Sequence, residues 1–234
     1  MAFIEVICIH CRKSDDIVRN GKARSGLQRF LCRSCNKTFQ LHYLYNANQP
    51  GIHERIVRLT HNGSGVRDIE RYLNISRTTV NRPLKRLSPP AVTEFPFENA
   101  KVKLICEMDE QWSFVGSKKN QRWLWYAWEP RFKRIIAHAF GRRTDATLKK
   151  LLKLLAPYRF EFFCTDDWAS YAKQLPEKKH IIGKHFTQRI ERQNLNFRTR
   201  LKRLARRSIC FSRSEEVHDK VIGEFIYREH YQLF

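Results

Sequence analysis

The sequence predicts an α+β chain built in several parts, and three changes of pattern carry that expectation. Two CxxC pairs lie within the first 35 residues, apolar residues then recur at helical spacing as far as Leu87, and from Val102 the period switches to two. Ser88-Pro89-Pro90-Ala91-Val92-Thr93-Glu94-Phe95-Pro96 has prolines and no periodicity, so it reads as a linker between the helical and strand-rich parts. The expected divisions are 1–48, 49–88, a linker 89–100, and 101–234.

Composition narrows the partners. Lys plus Arg total 45 against 23 acids, a net charge of +22, which favours counterion-releasing attraction to polyanions. Charge alone would also suit a basic structural protein such as a ribosomal one. No apolar run approaches the length of a membrane span, and Met1-Ala2-Phe3-Ile4-Glu5 lacks a basic-then-apolar signal. Seven cysteines, an odd number, suit a reducing compartment better than a disulfide framework. These features point to a soluble protein of the cytoplasm, associated with the nucleoid and not with a membrane.

Cys8-Ile9-His10-Cys11 and Cys32-Arg33-Ser34-Cys35 are separated by 20 residues. Each CxxC turn presents two thiolates, and two such knuckles complete a closed structural Zn²⁺ site. Turn signals at Asn20-Gly21 and Ser25-Gly26 and the short strand Gln28-Arg29-Phe30-Leu31 make this a zinc ribbon, with His10 a bystander. Four unligated thiols are the bland alternative.

Ile52, Ile56 and Leu59 follow at helical spacing, then Val66, Ile69 and Leu73, then Val80, Leu84 and Leu87 behind a capping Ser76. Three short helices with a tight turn at Asn74-Ile75-Ser76 suggest a small helix-turn-helix. Arg77, Thr78, Asn81 and Arg82 would face outward, in reach of phosphates or base edges. Pro83 lacks a backbone donor and disfavours helical geometry at Arg82, so this helix is expected to kink there or begin late. A plain helical spacer with basic solvated residues is the competing reading.

Beyond the linker, Val102, Leu104, Cys106 and Met108 share one face of a strand, and Lys103, Ile105, Glu107 and Asp109 the other, so Asp109 is expected near the strand's end. Strands over 121–128 and 134–140 come next, with a basic turn at Ser117-Lys118-Lys119-Asn120-Gln121-Arg122. A helix capped by Thr144 or Asp145 carries Leu148, Leu151, Leu152 and Leu155. Then come the aromatic strand Phe160-Glu161-Phe162-Phe163-Cys164, a short helix near 168–174, an edge strand at His180-Ile181-Ile182, and a long basic helix from about Thr187. Three strands, helix, strand, helix, strand, helix is the order of an RNase H-like α/β fold, whose acids lie on the first strand, after the fourth, and on the closing helix.

Asp109, Asp166 and Glu191 fall at those places. Carboxylate oxygens are what Mg²⁺ takes, and two such ions can clamp the attacking and leaving oxygens of a phosphodiester. A metal-dependent phosphoryl-transfer enzyme acting on DNA is therefore the leading reading. On the closing helix Phe186, Ile190, Phe197, Leu201 and Leu204 make the apolar stripe. Thr187, Glu191, Asn194, Arg198 and Lys202 make the polar stripe beside it. From Lys184 to Arg207 nine basic residues accompany one acid, so Glu191 could simply neutralise neighbours. Asp166 could be only a helix cap, with Asp167 its rival for either role.

The runs Cys8-Ile9-His10-Cys11, Val18-Arg19-Asn20-Gly21-Lys22, Gln28-Arg29-Phe30-Leu31-Cys32, Glu107-Met108-Asp109-Glu110-Gln111-Trp112, Gln121-Arg122-Trp123-Leu124, Thr187-Gln188-Arg189-Ile190-Glu191-Arg192 and His218-Asp219-Lys220-Val221-Ile222-Gly223 resemble the transposases of the insertion sequence one family. The resemblance covers nearly the whole chain. It implies a DDE transposase, whose pattern is two aspartates and a glutamate with 24 residues between the last two. That spacing selects Asp166 over Asp167, with Asp109 the first member. Implied with it are Mg²⁺ (or Mn²⁺), cut-and-join chemistry at element ends, binding of terminal repeats and target double-stranded DNA, and a homo-oligomer on paired ends. Arg198 and Lys202 would grip phosphates of the scissile region. Pro83 departs from the family's recognition helix. Two rival readings are a non-catalytic end-binding repressor and a structure-specific nuclease of the same fold.

Overall fold

The computed structural model describes residues 4–97, 103–183, 187–205 and 211–232. Left-handed Gly26 (φ 80) reverses the chain in the turn 23–26, and left-handed Gly21 (φ 63) sits at a register irregularity in the strand before it. The turn lets β1 (Ile17–Lys22) and β2 (Gln28–Cys32) pair antiparallel, and β3 (Lys37–Gln40) adds to β2. Among the described residues the buried core of this ribbon is Cys8, Cys32 and Phe39. So small an apolar core gives a domain little stability of its own, the situation in which small folds commonly carry a metal or disulfide staple.

Three helices follow: α1 (Ile52–His61), α2 (Val66–Leu73) and α3 (Arg77–Arg86). Ser76 caps α3 as expected, its Oγ accepting the Thr79 N–H at 3.3 Å. The expected late start is absent. Helix α3 begins at Arg77 and runs through Pro83, which is buried. Packing of its apolar face overrides the local cost of the proline.

The larger sheet has the order β6-β5-β4-β7-β8. Its strands are β4 (Leu104–Val115), β5 (Ser117–Glu129), β6 (Arg134–Gly141), β7 (Phe160–Thr165) and β8 (His180–Ile182). The first three run antiparallel, and β7 and β8 lie parallel to β4. Helices α4 (Asp145–Leu155), α5 (Ala169–Gln174), α6 (Gln188–Arg200) and α7 (Glu215–Ile226) complete it, a π-helical turn Tyr227–Tyr231 extending the last.

Three local expectations change. The basic stretch from Ser117 is not a turn but the first half of β5, because Gly116 (φ 73) makes the reversal alone. Asp109 therefore sits mid-strand in a long β4, not near its end. Helix α6 stops at Arg200, so Leu201, Lys202 and Leu204 lie beyond it. Leu201 and Leu204 are buried all the same. Val102 and Phe186 lie outside the described residues.

Each face of the sheet carries its own core. Leu104, Cys106 and Met108 of β4 pack with Trp125, Leu148, Leu151 and Tyr171 on the α4–α5 side. The other face gathers Leu124, Tyr126, Ile190, Phe197, Val221 and Phe225. The same cluster takes in Ile56, Ile69, Val80 and Leu84 of the three-helix part. Segment 89–97 is likewise bound to the sheet: Thr93 N–H donates to the Ile136 carbonyl at 2.8 Å and His138 N–H to that of Ala91 at 2.9 Å. Among the described residues no helix is long and apolar enough to cross a membrane.

Candidate active site

Register brings the first two acids together. In the parallel pair β4–β7, Glu107 lies opposite Cys164, so two residues on, Asp109 and Asp166 leave neighbouring strands at the same level. The third acid arrives by the docking of α6 on β4. Glu107, buried, accepts the Ile190 N–H on Oε2 at 3.0 Å, satisfying an otherwise orphaned donor of the helix's first turn. The Tyr126 hydroxyl lies 3.1 Å from the Ile190 carbonyl and 3.0 Å from Asn194 Oδ1. Asn194 Nδ2 donates in turn to Asp109 Oδ2. Glu191 projects one helical turn before Asn194, on the same side.

Electrostatics reports the convergence. Burial, and after it the charges of Asp166 and Glu191, push the Asp109 carboxyl up to about 6. Like charges gathered at one point are the donor set of a hard divalent cation. The three carboxylates thus suit such an ion chemically. They are not drawn as tight as the thiols: among the described residues only the four cysteines have ligand atoms all within 4.8 Å of one another.

Those cysteines fit zinc by geometry. The Cys8 and Cys35 sulfurs stand 3.6 Å apart, as do those of Cys11 and Cys32. A tetrahedron with Zn–S of about 2.3 Å has S···S edges of about 3.8 Å. A disulfide would need about 2.05 Å. His10 is exposed and outside the cluster, as expected.

Asp167 is exposed, whereas Asp166 Oδ1 accepts the Trp168 N–H at 3.2 Å. That bond is an i, i+2 turn contact and not a helix cap, since Trp168 is itself the N-cap of α5, and Asp166 Oδ2 faces Arg143 Nη2 at 3.9 Å. The neighbouring Glu110, unnoticed in the sequence, is buried on the opposite face of β4. Burial pushes its carboxyl up to about 7 although Tyr171 and Arg143 both hold it. Glu107, Asn194 and Tyr126 were also missed as site-builders. Asn194 stood in the polar stripe beside Glu191, the one signal that could have found it.

The outward residues of α3 share a second feature. Arg77, Thr78 and Asn81 line a cleft of ≈ 1330 Å³ whose far wall holds Lys202, Arg203 and Arg213. Arg82 is exposed but not among the lining residues. Lys202 lines this cleft and pairs with Asp68 of α2 at 3.1 Å. Arg198 is half-buried on α6, close enough for its charge to act on the Tyr126 hydroxyl.

Comparison with known proteins covers each part. A family model described as IS1 transposase matches residues 103–232, one described as InsA C-terminal domain matches 43–87, and one described as InsA N-terminal domain matches 1–36. The chain is 59% identical over 123 residues to the insertion element iso-IS1n protein InsB of Shigella dysenteriae, covering 53% of this chain and 94% of that one. It is 49% identical over 150 residues to the insertion element IS1 4 protein InsB of Escherichia coli strain K12, covering 64% and 90%. A simian T-cell lymphotropic virus intasome, solved with the PP2A regulatory subunit B56 gamma, matches 72% of this chain and 66% of that chain. Its TM-score is 0.39 and its identity 14%, a likeness too slight to build on.

Proposed function

This chain belongs to the IS1 transposase family, and from that premise we propose that Asp109, Asp166 and Glu191 are the acids with which it cuts and joins DNA. It is a DDE transposase, an enzyme that binds element ends and catalyses their transposition. The observation that supports the site assignment is placement: Asp109 and Asp166 lie level on β4 and at the end of β7, and Asn194, one turn from Glu191 on α6, bonds Asp109.

The family implies a divalent metal, which we take to be Mg²⁺ or Mn²⁺ held by these three side chains. When bound, such ions supply Lewis acidity to the attacking and leaving oxygens of an in-line displacement. The chain's own residues do the positioning. Asn194 holds one oxygen of Asp109, the Trp168 N–H holds one of Asp166, and Glu107 fixes the helix that bears Glu191. Water attacks the phosphorus at the element's end and breaks its P–O3′ bond, leaving a 5′-phosphate on the flank; the freed 3′-hydroxyl then attacks a target phosphorus and displaces that strand's 3′-oxygen.

Cys8, Cys11, Cys32 and Cys35 hold a structural Zn²⁺ in this reading, and the divisions 1–48, 49–88, 89–100 and 101–234 are its working parts. Arg77, Thr78 and Asn81 read the terminal repeat from the cleft. Lys202 steadies the same DNA from the far wall, and Arg82 and Arg198 contact phosphate outside it. Paired ends are held by a homo-oligomer, at the nucleoid in the cytoplasm.

Asp166→Asn is the test. It keeps size and hydrogen-bonding reach but removes a ligand charge, so the variant should stay folded and bind end-containing DNA at least as well. Cleavage and strand transfer in Mg²⁺ or Mn²⁺ should drop by orders of magnitude. Asp167→Asn should keep most activity. Activity retained by the first variant and lost in the second would move the assignment by one residue. Wild type that binds ends but never cuts them would favour a repressor.

A further inference from the structure

Alternation along β4 sends Glu110 to the opposite face from Asp109, yet Glu110 still reaches the acid cluster through an intermediary. Its side chain is 2% exposed. Tyr171 Oη donates to Glu110 Oε2 at 2.7 Å, and Arg143 Nε donates to Oε1 at 2.5 Å. The Arg143 guanidinium also lies over two indole rings, 5.4 Å from that of Trp123 and 4.8 Å from that of Trp168. Arg143 Nη2 stands 2.5 Å from Glu110 Oε1 and 3.9 Å from Asp166 Oδ2. Both oxygens of Asp166 are therefore addressed by one assembly. The Trp168 N–H bonds Oδ1, while the guanidinium resting on the Trp168 ring faces Oδ2.

A half-exposed ion pair at 3.9 Å would by itself count for little. The tether changes that judgement. A guanidinium is a rigid fork, and with Glu110 and two rings holding it the entropy of placing it beside Asp166 is already lost. The edge that meets Glu110 is occupied, which leaves Arg143 poorly free to clasp a phosphate.

We propose that Arg143, tethered by Glu110, is a positioning residue for Asp166: it sets the orientation of that carboxylate and thereby the affinity of the site for a divalent cation. This rests on Asp166 being a metal ligand.

Mn²⁺ binding to the full chain without DNA, read by electron paramagnetic resonance of the free ion, tests the proposal. By charge alone, removing a cation beside a cation site should tighten Mn²⁺ binding. Positioning predicts the opposite, so Arg143→Gln should bind roughly tenfold more weakly. Glu110→Gln should weaken binding in the same direction. The double variant should be no worse than Arg143→Gln, because the two act as one unit. Arg143→Lys keeps the charge without the fork and should also bind more weakly than wild type. It is the variant to read if circular dichroism finds Arg143→Gln unfolded. Arg142→Gln, at the exposed neighbour, should bind as wild type does.

Unchanged or tighter binding in Arg143→Gln overturns the proposal, and so does Arg143→Lys at wild-type affinity, which would make charge the cause. Unchanged Mn²⁺ binding with a shallower salt dependence of DNA binding would overturn it in favour of a phosphate contact. Asp166→Asn separates the two levels. If that variant binds Mn²⁺ normally, the ligand assignment fails; if it does not and Arg143→Gln does, only the relay fails.

Discussion

Single side chains decide whether three acids on separate elements meet, and Glu107 shows how. Its carboxyl is buried under α6, and burial pushes it up to about 7. What keeps it in place is one acceptor function, the bond from the Ile190 N–H. Glu107→Gln preserves that acceptor and should cost less than about 1 kcal/mol. Glu107→Leu leaves a buried N–H without a partner and should cost about 1–3 kcal/mol. Strand transfer should fall with it, because α6 carries Glu191. Urea unfolding of the two variants measures the difference. A Leu variant as stable as wild type would mean that α6 is held by its apolar face alone.

At the level of elements, α3 is where local rules and the observed helix disagree. Pro83 cannot donate to the Thr79 carbonyl, and a proline inside a helix is about 3 kcal/mol worse than alanine. Its ring is buried, however, and losing two ring carbons to alanine forfeits about 1.6 kcal/mol at about 0.8 per methylene. The backbone cost outweighs the packing gain. Pro83→Ala should therefore stabilise the protein by about 1 kcal/mol, raising the urea midpoint at unchanged slope. A lowered midpoint would mean that the ring's packing is worth more than its buried area suggests. Natural retention of a costly residue in the helix that lines the cleft would then have a structural cause.

Across the whole molecule, the three-helix part and the catalytic part are one body. They share a core, and Arg228 of the C-terminal turn pairs with Glu54 of α1 at 2.5 Å. Gly223 of α7 is needed for this closure, since a Cβ there would lie 2.8 Å from Pro89 Cγ. The buried histidines are spread over the same body. Burial lowers His61 and His230 to about 4 and His138 and His218 to about 3. Unfolded histidine titrates near 6.5. As pH falls below that, the unfolded chain takes up protons that the folded one refuses, and stability is lost down to each folded value. Glu107, Asp109 and Glu110 act oppositely. Raised to about 7, 6 and 7, they bind protons in the folded state first and add stability as pH falls toward the ordinary carboxylate range of about 4. Four groups oppose three, so the two sets nearly cancel from about pH 7 to about 4.5. Below that the histidine loss continues, joined by Glu54, Asp68 and Glu216, whose hydrogen-bond partners hold their carboxyls below the ordinary range. Melting followed by tryptophan fluorescence should show little change in Tm between about pH 7 and 5.5 and a steep fall below about 4.5. All five tryptophans lie in the 103–183 region, so the signal is independent of the zinc ribbon. A steady decline from neutral pH would show that the carboxyls do not offset the histidines.

What the sequence determined by itself was the set of local patterns. The CxxC pairs, the capped α3 and the switch from helical period to period two follow from residues a few positions apart, whereas choosing Asp166 over Asp167 took the family resemblance and its 24-residue interval. Such patterns are legible because a helix or strand imposes its own period on side chains whatever packs against it. Tertiary structure alone decided the rest. Arg143 meets Glu110 across 33 residues, Tyr171 meets it across 61, and Lys202 meets Asp68 across 134. Nothing local marks these partners. Which cation faces which carboxylate depends on strand register, on where α6 stops, and on which face of the sheet each helix covers. Those are settled only when the apolar faces of distant elements close on one another.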